Sequence, residues 1–448
     1  MNVMHKRIKM AGACAMLLAA MATGGCGASG NTAGENGDTA GEKAETKAEQ
    51  APFTMTIYNN AGIADAYYQE YIEKHLKSKF PQGTFQYMKR SQGNDIQDLV
   101  AAGTVPDLIL FGVDRILTYR DLGVLADLTP LIKQMSVDTS RFADGILDTI
   151  KSYSEHGELY AMPWSYNPAA LYFNKDIFDK FGVPYPKDGM TWDELGDLVK
   201  KLSRTEGGVA IRGLDTARKY LLDNNQLSLP FVDAKTGKAA VNTEAWKKWF
   251  AAMSDFYSIP GNGLPANTRD ETDAFLLDQT LAMRIGNNIF SRVIEMQQKG
   301  QSLNWDLVSM PTFKEAPGMG TQYNGATFAI SATSKVKEQA MQAISVLVSD
   351  EVQLEGAKLA RYPTLKKPDI QAALGQGEKV FEGKNIKSLQ KNKVAATPKV
   401  TEYDTAAKTI VLNKLNEVVK GTKDINTALR EADEEINKKI AEEQAKRK

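Results

Sequence analysis

The chain has 448 residues, and 42% of them are hydrophobic, which is enough for more than one core. Its 55 basic residues balance 55 acidic residues, and this neutrality argues against a nucleic-acid partner. Three histidines and two cysteines leave little material for a disulfide framework, a zinc site or a histidine-based catalytic site, so we expect no metal and no cofactor.

Residues 1–25 have the pattern of a secretory signal peptide. Lys6, Arg7 and Lys9 form a basic start, the apolar stretch AGACAMLLAAM follows, and small residues precede Cys26. The pattern resembles a bacterial lipoprotein signal, which implies that Cys26 becomes the first residue of the mature chain and carries a lipid anchor. Ordinary secretion is the alternative, because AMA at positions 20–22 also fits a cleavage site.

Residues 26–52 are predicted to form a flexible tether that begins at the lipidated cysteine. The stretch GASGNTAGENGDTAGEKAETKAEQA contains no Val, Ile, Leu or aromatic residue and is acidic. Such a segment cannot bury enough apolar surface to offset the entropy that ordering it would cost. Loss of the signal peptide would leave 52 basic against 55 acidic residues.

From Phe53 the chain alternates predicted strands and helices. FTMTIYNN, TFQYMKR and the nearly all-apolar PDLILFG read as strands, and two helical segments separate them. This order predicts an α/β fold with mostly parallel sheets. No flexible linker divides the remaining residues, so we expect two lobes joined by crossing segments. The first crossing is predicted at AMPWSYNP, where Pro163 and Pro168 restrict the backbone.

No catalytic constellation is visible in the sequence. The chain has no phosphate-binding loop, no strand-linked dinucleotide motif and no nucleophile elbow. His75 is expected to be a solvated surface residue, and His156 a structural or exposed residue of a turn. Acidic pairs such as those in ADEEINKKIAEE are typical of a charged helix face. We therefore expect a protein that is not an enzyme.

An ordered series of motifs resembles the extracellular solute-binding proteins of bacterial ABC importers, the maltose-binding-protein-like family. The most specific match is GELYAMPWSYNPAALYFNKDIFDKFGVPYPKDGMTWDEL, and the series also contains AAGTVPDLILFGVDR, FLLDQTLAMRIGNN, NGATFAISATSK and RYPTLKK. These matches run in order from Phe53 to Ile440.

The resemblance implies a two-lobe fold with several interlobe crossings and a solute enclosed in the cleft when a hinge closes. We expect residues 53–164 plus 327–372 to form the first α/β lobe, and 165–326 plus 373–448 to form the second. The implied partners are the permease subunits of an ABC transporter and, through the lipid, the membrane. The resemblance also implies that the protein is a monomer and that it lies at the extracellular face of the cell membrane.

Candidate solute contacts follow from position, because ligands of open α/β sheets bind at the carboxyl ends of strands. Aromatic faces and planar amides suit a sugar, and the resemblance implies that Phe111 stacks on it while Asp114 and Arg115 hold hydroxyls. At position 288, near which the family often has a Trp, this chain has Asn. The predicted ligand-binding residues are Asn59, Asn60, Phe111, Asp114, Arg115, Trp164, Tyr166, Asn167, Asn287, Asn288, Phe290, Asn324 and Tyr403.

The leading hypothesis is therefore a lipid-anchored protein that delivers a carbohydrate, an oligosaccharide, to an ABC importer. Within the binding class, a peptide, polyamine or phosphodiester solute stays open. From another class, the alternative is a surface-anchored enzyme that degrades polysaccharides, since such an enzyme could share the anchor and the tether.

Overall fold

The structure, a computed structural model, describes residues 51–265 and 270–446. The predicted signal peptide, Cys26 and nearly all of the predicted tether lie outside these residues. The strands of the described ranges are β1 (Phe53–Asn60), β2 (Gly83–Lys89), β3 (Leu108–Gly112), β4 (Met162–Pro163), β5 (Ala169–Asn174), β6 (Arg204–Glu206), β7 (Val209–Thr216), β8 (Val232–Asp233), β9 (Lys238–Ala239), β10 (Leu281–Asn287), β11 (Trp305–Ser309), β12 (Met319–Gln322), β13 (Ala326–Ile330) and β14 (Lys393–Ala395).

Two five-stranded sheets organise the fold, one in each lobe. The first has the order β2-β1-β3-β13-β4, and the second has the order β11-β5-β10-β7-β6. Both sheets are mixed. Parallel pairing joins β1 to β2 and β3, and β7 to β10. The strands that border the crossings between the lobes, β4, β5 and β13, pair antiparallel with their neighbours.

Helices cover both sheets, as the α/β prediction requires. A π-helical turn at Tyr68–Glu73 connects the first two helices. The described helices are α1 (Asp65–Tyr67), α2 (Lys74–Lys79), α3 (Ile96–Ala101), α4 (Ile116–Asp121), α5 (Thr129–Gln134), α6 (Ile146–Lys151), α7 (Lys175–Phe181), α8 (Trp192–Leu202), α9 (Arg218–Asp223), α10 (Glu244–Ser254), α11 (Glu271–Leu276), α12 (Phe290–Gln298), α13 (Lys337–Leu347), α14 (Asp350–Lys358), α15 (Pro368–Ala372), α16 (Asp404–Val419) and α17 (Ile425–Lys446).

Local sequence explains several of these boundaries. Asp95 forms a capping box with Asp98 at the start of α3. Asn174 caps α7 by accepting from two backbone amides, and Gly182 ends that helix with φ of 64°, which only glycine adopts without strain. No helix in residues 51–265 or 270–446 has both the length and the hydropathy of a membrane span.

From the sequence we expect four tryptophans to be structural residues, namely Trp192, Trp246, Trp249 and Trp305, and all four are buried. Trp246 and Trp249, one turn apart on α10, pack edge to face at 5.7 Å in the core of the second lobe. Trp305 of β11 is also buried, and Trp192 begins α8 with its indole nitrogen donating to Gln226. This confirms the prediction for these four residues.

The expectation that His75 is a solvated residue is wrong. Its ring is buried beneath α14, where Nε2 lies 3.0 Å from a carboxylate oxygen of Glu355, and it meets Tyr71 edge to face. The sequence shows that His75 lies on a helix, but the helix that covers it begins 275 residues later at Asp350. His156 lies in an exposed turn, as expected.

Short crossings join the two lobes, and they are hydrogen-bonded to one another. The backbone amide of Trp164 donates to Ala326, that of Asn167 donates to Asn324 at 2.8 Å, and that of Tyr166 donates to Tyr362 at 3.0 Å. The ring of Tyr166 contacts both Tyr323 and Tyr362, at centroid distances of 5.5 and 5.4 Å. A buried tyrosine cluster, formed by Tyr166, Tyr323 and Tyr362, therefore connects three separate segments of the chain.

Gly325 is the tightest point of this junction. A Cβ atom there would overlap the carbonyl oxygen of Ser165 and lie 2.9 Å from the hydroxyl of Tyr323. Since Tyr323 donates to the same Ser165 carbonyl at 2.9 Å, the two crossings approach closely only because position 325 has no side chain.

Gly325→Ala is expected to lower the free energy of unfolding by about 1–3 kcal/mol, because the added methyl group must push the crossings apart. Gly196→Ala is the matched control: on α8 a Cβ meets nothing within 4 Å, and the better helix former should raise stability by up to about 1 kcal/mol. Urea unfolding of both variants measures the difference. Equal effects of the two changes would contradict the close-approach explanation.

Candidate functional site

The crossings leave the first sheet from a single edge. Ala326, at the start of β13, pairs with Gly112 at the end of β3, and Pro163, at the end of β4, pairs with Thr327. Because β1 and β3 are parallel, this edge is also the carboxyl end of β1. The connections before Ala169 and before Ala326 therefore start where Asn59, Asn60 and the residues after Gly112 lie.

The crossings also enter the second sheet at its carboxyl edge. Ala169, the first residue of β5, pairs with Asn287, the last residue of β10, and β7 runs parallel to β10. Only residues 164–168 separate β4 from β5. The carboxyl edges of the two sheets are therefore held next to each other, and the cleft between them is bordered by the loops that follow β1, β3, β7 and β10.

A cavity of about 580 Å³ lies at the carboxyl edge of the first sheet. Its wall comes from the loop after β1, the loop after β2 and the turn after β3. It is lined by Asn59, Asn60, Ala61, Gly62, Lys89, Arg90, Ser91, Gln92, Asp95 and Arg115. We call it the first-lobe pocket.

The two asparagines that end β1 have different roles in this pocket. Asn59 is buried, and its amide donates to the Ile63 carbonyl at 2.7 Å and to the Tyr87 hydroxyl at 2.9 Å. These two bonds hold the conformation of the loop that follows β1. Asn60 is half-buried, and its amide donates to the hydroxyl of Tyr119. Beyond β3, Asp114 is exposed and Arg115 is half-buried.

A second cavity, of about 470 Å³, lies at the carboxyl edge of the second sheet. The end of β7, the start of α9, the return crossing and α16 form its wall. It is lined by Thr216, Ala217, Arg218, Lys219, Tyr220, Asp223, Asn224, Glu271, Asn324, Leu412 and Asn416. We call it the second-lobe pocket.

A buried carboxylate fixes the arginine in the second-lobe pocket. Asp215, only 2% exposed, accepts from Arg218 at 3.1 Å, from Arg212 at 2.8 Å and from the Tyr257 hydroxyl at 2.5 Å. Burial, followed by the charge of Asp215, raises the pKa of Tyr257 well above its usual range. The network holds the guanidinium of Arg218 in place, and its Nε also donates to Asn416 at 3.2 Å.

Polar side chains of the second lobe meet residues of the two crossings. The backbone amide of Asn288 donates to the side-chain oxygen of Asn167 at 3.0 Å, and the hydroxyl of Tyr220 donates to the carbonyl of Asn167. The Asn324 side chain donates to that of Asn224 at 3.4 Å. Three predicted residues, Asn167, Asn288 and Asn324, thus lie within one hydrogen-bonded region.

Asn287, at the end of β10, lies next to this region. Its carbonyl and side-chain oxygens accept from the guanidinium of Arg284 at 2.9 and 3.2 Å, and Arg284 also pairs with Glu271 at 3.1 Å. Asn287 is half-buried and its orientation is fixed by this arginine.

The predicted aromatic contacts, by contrast, are buried in the structure. Phe111 stacks on Tyr119 at 4.8 Å, and Phe290 packs against Phe381 at 4.5 Å. Trp164 has Phe328 at 5.3 Å and the guanidinium of Arg361 over its ring at 4.1 Å. Phe111, Trp164 and Phe290 are at most 1% exposed, so in this conformation none of their rings has a face open to a solute.

Tyr166 and Tyr403 are also buried. Tyr166 belongs to the tyrosine cluster, and burial raises its pKa to about 12. Tyr403 precedes α16 and lies in the core of the second lobe. Neither residue lines one of the two pockets.

Most residues of the pocket walls are not among the sequence-predicted site residues, and Arg90, Arg218, Tyr220 and Glu271 are four of these. A signal for two of them is present in LDTARKYLLDNN, where polar residues directly follow the carboxyl end of the buried strand β7. Glu271 is different, because it starts α11 and comes to the cleft only through its ion pair with Arg284.

Two α/β lobes with a polar cleft at the carboxyl edges of both sheets form the architecture of a binding protein that closes around a small solute. Residues 82–373, well over half of the chain, match the family model described as bacterial extracellular solute-binding protein. The chain belongs to this family. A protein of Brucella abortus described as a binding protein is 22% identical over 305 residues, which are 65% of this chain and 71% of that protein.

Solved structures share the fold. An ABC substrate-binding protein of Listeria monocytogenes, in complex with cycloalternan, has a TM-score of 0.68 at 20% identity and covers 87% of this chain and 99% of its own. A sugar transporter of Rhizobium etli in an open conformation has a TM-score of 0.70 at 20% identity, with 86% and 99% covered. The sugar-binding protein MalE of Xanthomonas citri has a TM-score of 0.69 at 18% identity, with 88% and 98% covered.

Asp215→Asn is expected to lower the free energy of unfolding by about 3–5 kcal/mol, since it leaves the buried guanidinium groups of Arg212 and Arg218 without a counter-charge. Asp197→Asn is the matched control, because the pair of Asp197 with Lys200 is exposed and should contribute less than about 1 kcal/mol. Chemical denaturation of both variants tests this. A loss for Asp215→Asn no larger than that for Asp197→Asn would contradict the assigned role.

Proposed function

We propose that the protein captures a carbohydrate of the oligosaccharide class in the cleft between its lobes and delivers it to an ABC importer. The observation that carries the proposal is the pair of polar pockets at adjoining carboxyl edges, lined by half-buried amides and arginines. Such groups hold the vicinal hydroxyls of a sugar. The descriptions of similar folds, which name cycloalternan, mannotriose and maltotetraose as bound ligands, support this choice.

Within the cleft, the proposed solute contacts are half-buried polar residues and the exposed Asp114. Asn60, Asp114 and Arg115 would act from the first lobe, and Asn287, Asn288 and Asn324 from the second, with Asn167 between them. Tyr220, half-buried on the wall of the second-lobe pocket, offers an aromatic ring for the apolar face of a sugar. Phe111 would act indirectly, because it supports Tyr119, which in turn accepts from Asn60.

We propose a role without catalysis. The acids on the wall of the second-lobe pocket are each engaged by a basic side chain, Glu271 by the buried Arg284 and Asp223 by Lys219. The alternative, a polysaccharide-degrading enzyme, would release product from a glycan, and loss of that product on changing one carboxylate would favour it.

A lipid on Cys26 would place this binding protein, as a monomer, at the extracellular face of the membrane, where it could meet the permease subunits. Support comes from the sequence alone, namely from the basic start, the short apolar stretch and the small residues before Cys26. Several acyl chains on one cysteine would give stable anchoring.

A saccharide that binds the closed form should raise the thermal stability of the purified protein. At about 100 times its Kd a ligand adds about 2.7 kcal/mol to the free energy of unfolding. A thermal-shift screen of mono- and oligosaccharides, with a peptide and a polyamine as comparison ligands, measures this. The carbohydrate proposal fails if only a non-sugar ligand raises the melting temperature.

For a saccharide found in this way, Asn288→Ala and Tyr220→Ala should weaken binding by about tenfold each, since the first removes a polar group of the proposed cleft and the second removes the proposed aromatic contact. Asn426→Ala, an exposed amide at the start of α17, is the matched control and should keep wild-type affinity. Titration calorimetry gives the affinities, and ligand-free melting shows whether a variant is folded. A loss shared by the control would remove the support for the cleft assignment.

Cys26→Ala is expected to release the protein into the medium, or to leave its signal peptide uncleaved, because no thiol remains to take the lipid. Fractionation of cells and mass determination of the N-terminus test this, and solute affinity should be unchanged. A variant that stays membrane-bound with a normally processed N-terminus would refute the lipid anchor.

A further inference from the structure

The charges of the two pockets differ in how far they are neutralised. In the second-lobe pocket, Arg218 is paired with Asp215, Lys219 with Asp223, and Glu271 with Arg284. Because each of these charges has a partner within the protein, a neutral solute would leave this pocket electrostatically balanced.

The first-lobe pocket, by contrast, has an excess of positive charge. Its lining contains Lys89, Arg90 and Arg115 against the single acid Asp95. Lys89 is paired with Asp65 at 3.1 Å, and the carboxylate of Asp95 accepts from backbone amides at the start of α3. Within residues 51–265 and 270–446, Arg90 and Arg115 have neither an ion pair nor a side-chain hydrogen bond.

The two arginines act on the same part of the pocket. Burial raises the pKa of Tyr58 to about 12, and the charges of Arg90 and Arg115 both oppose this rise. Burial also raises the pKa of Tyr119, and the charges of both arginines oppose this rise as well. The charge of Asp95 acts on both hydroxyls in the opposite direction, and Arg90, Arg115 and Asp95 line the same pocket as the half-buried Asn60.

The acid next to Arg115 in sequence, Asp114, is exposed. Asp114 is not among the residues that line the first-lobe pocket. The positive charge at Arg90 and Arg115 therefore remains for a ligand to neutralise.

Resting on the proposed function, we infer that the saccharide carries an anionic group, held by Arg90 and Arg115 in the first-lobe pocket. The group is the carboxylate of a uronic acid, or a sulfate or phosphate ester. A guanidinium presents paired N–H donors that match the oxygens of such groups. Closure of the lobes removes water from the pair and strengthens it, whereas a neutral sugar would bury two uncompensated charges.

Matched ligands that differ only in this charge test the inference by titration calorimetry on the mature protein. Oligomers of glucuronic, galacturonic and mannuronic acid are compared with their methyl esters, and hexose sulfates and phosphates with the parent hexoses. The acidic member of the bound pair should bind at least about tenfold more tightly, and the difference should shrink as salt rises. The ligand pair that shows the preference identifies which anionic group is recognised.

Arg90→Gln and Arg115→Gln should each remove most of the preference for the acidic member, and Arg90→Lys should retain part of it. Arg430→Gln, at an exposed arginine of α17, is the control and should keep the full preference. A neutral saccharide that binds as tightly as its acidic partner, or a preference that survives both substitutions, overturns the inference and leaves the proposed function standing. If no saccharide of either kind binds, the proposed function itself fails.

Discussion

The close approach of the interlobe crossings is the constraint on which the rest of the structure depends. Gly325 lies against the carbonyl of Ser165, and the tyrosine cluster joins these crossings to Tyr362. Because the crossings between β4 and β5 and between β12 and β13 are only a few residues long, the carboxyl edges of both sheets lie beside each other. The cleft is therefore a consequence of the connections, and any motion that opens or closes it must be taken up by these few residues.

The polar groups near the cleft are held in two physically different ways. Arg218 is fixed by a buried carboxylate, so its position is set by hydrogen bonds that no solvent competes for. Arg90 and Arg115 have no such partner in the described residues and lie closer to water. The second lobe thus presents a pre-organised wall, whereas the first lobe presents positive charge whose energy depends on what binds. Solute selection by charge would then occur mainly in the first lobe.

The aromatic residues of the stretch from Ala161 to Pro186 support the cleft from behind. Trp164 and Tyr172 are fully buried, and the rings of Phe173 and Phe178 pack with their centroids 5.5 Å apart. Their large buried area stabilises the segments that must carry the chain across, where backbone hydrogen bonds are fewer than in a sheet. Polar amides at the ends of these segments, such as the half-buried Asn167, remain partly exposed.

The sequence by itself determined the strand β1, which the structure begins and ends at Phe53 and Asn60 as predicted, the alternation of strands and helices, and the family. These follow from local periodicity and from ordered motifs. Only the tertiary structure decided that Phe111 and Trp164 are buried, that His75 lies beneath α14, and that Asn167 meets Asn288, which is 121 residues away in the chain. Periodicity shows which face of an element is apolar. It does not show what will cover that face, because burial and pairing depend on segments that are far apart in sequence and are brought together by packing.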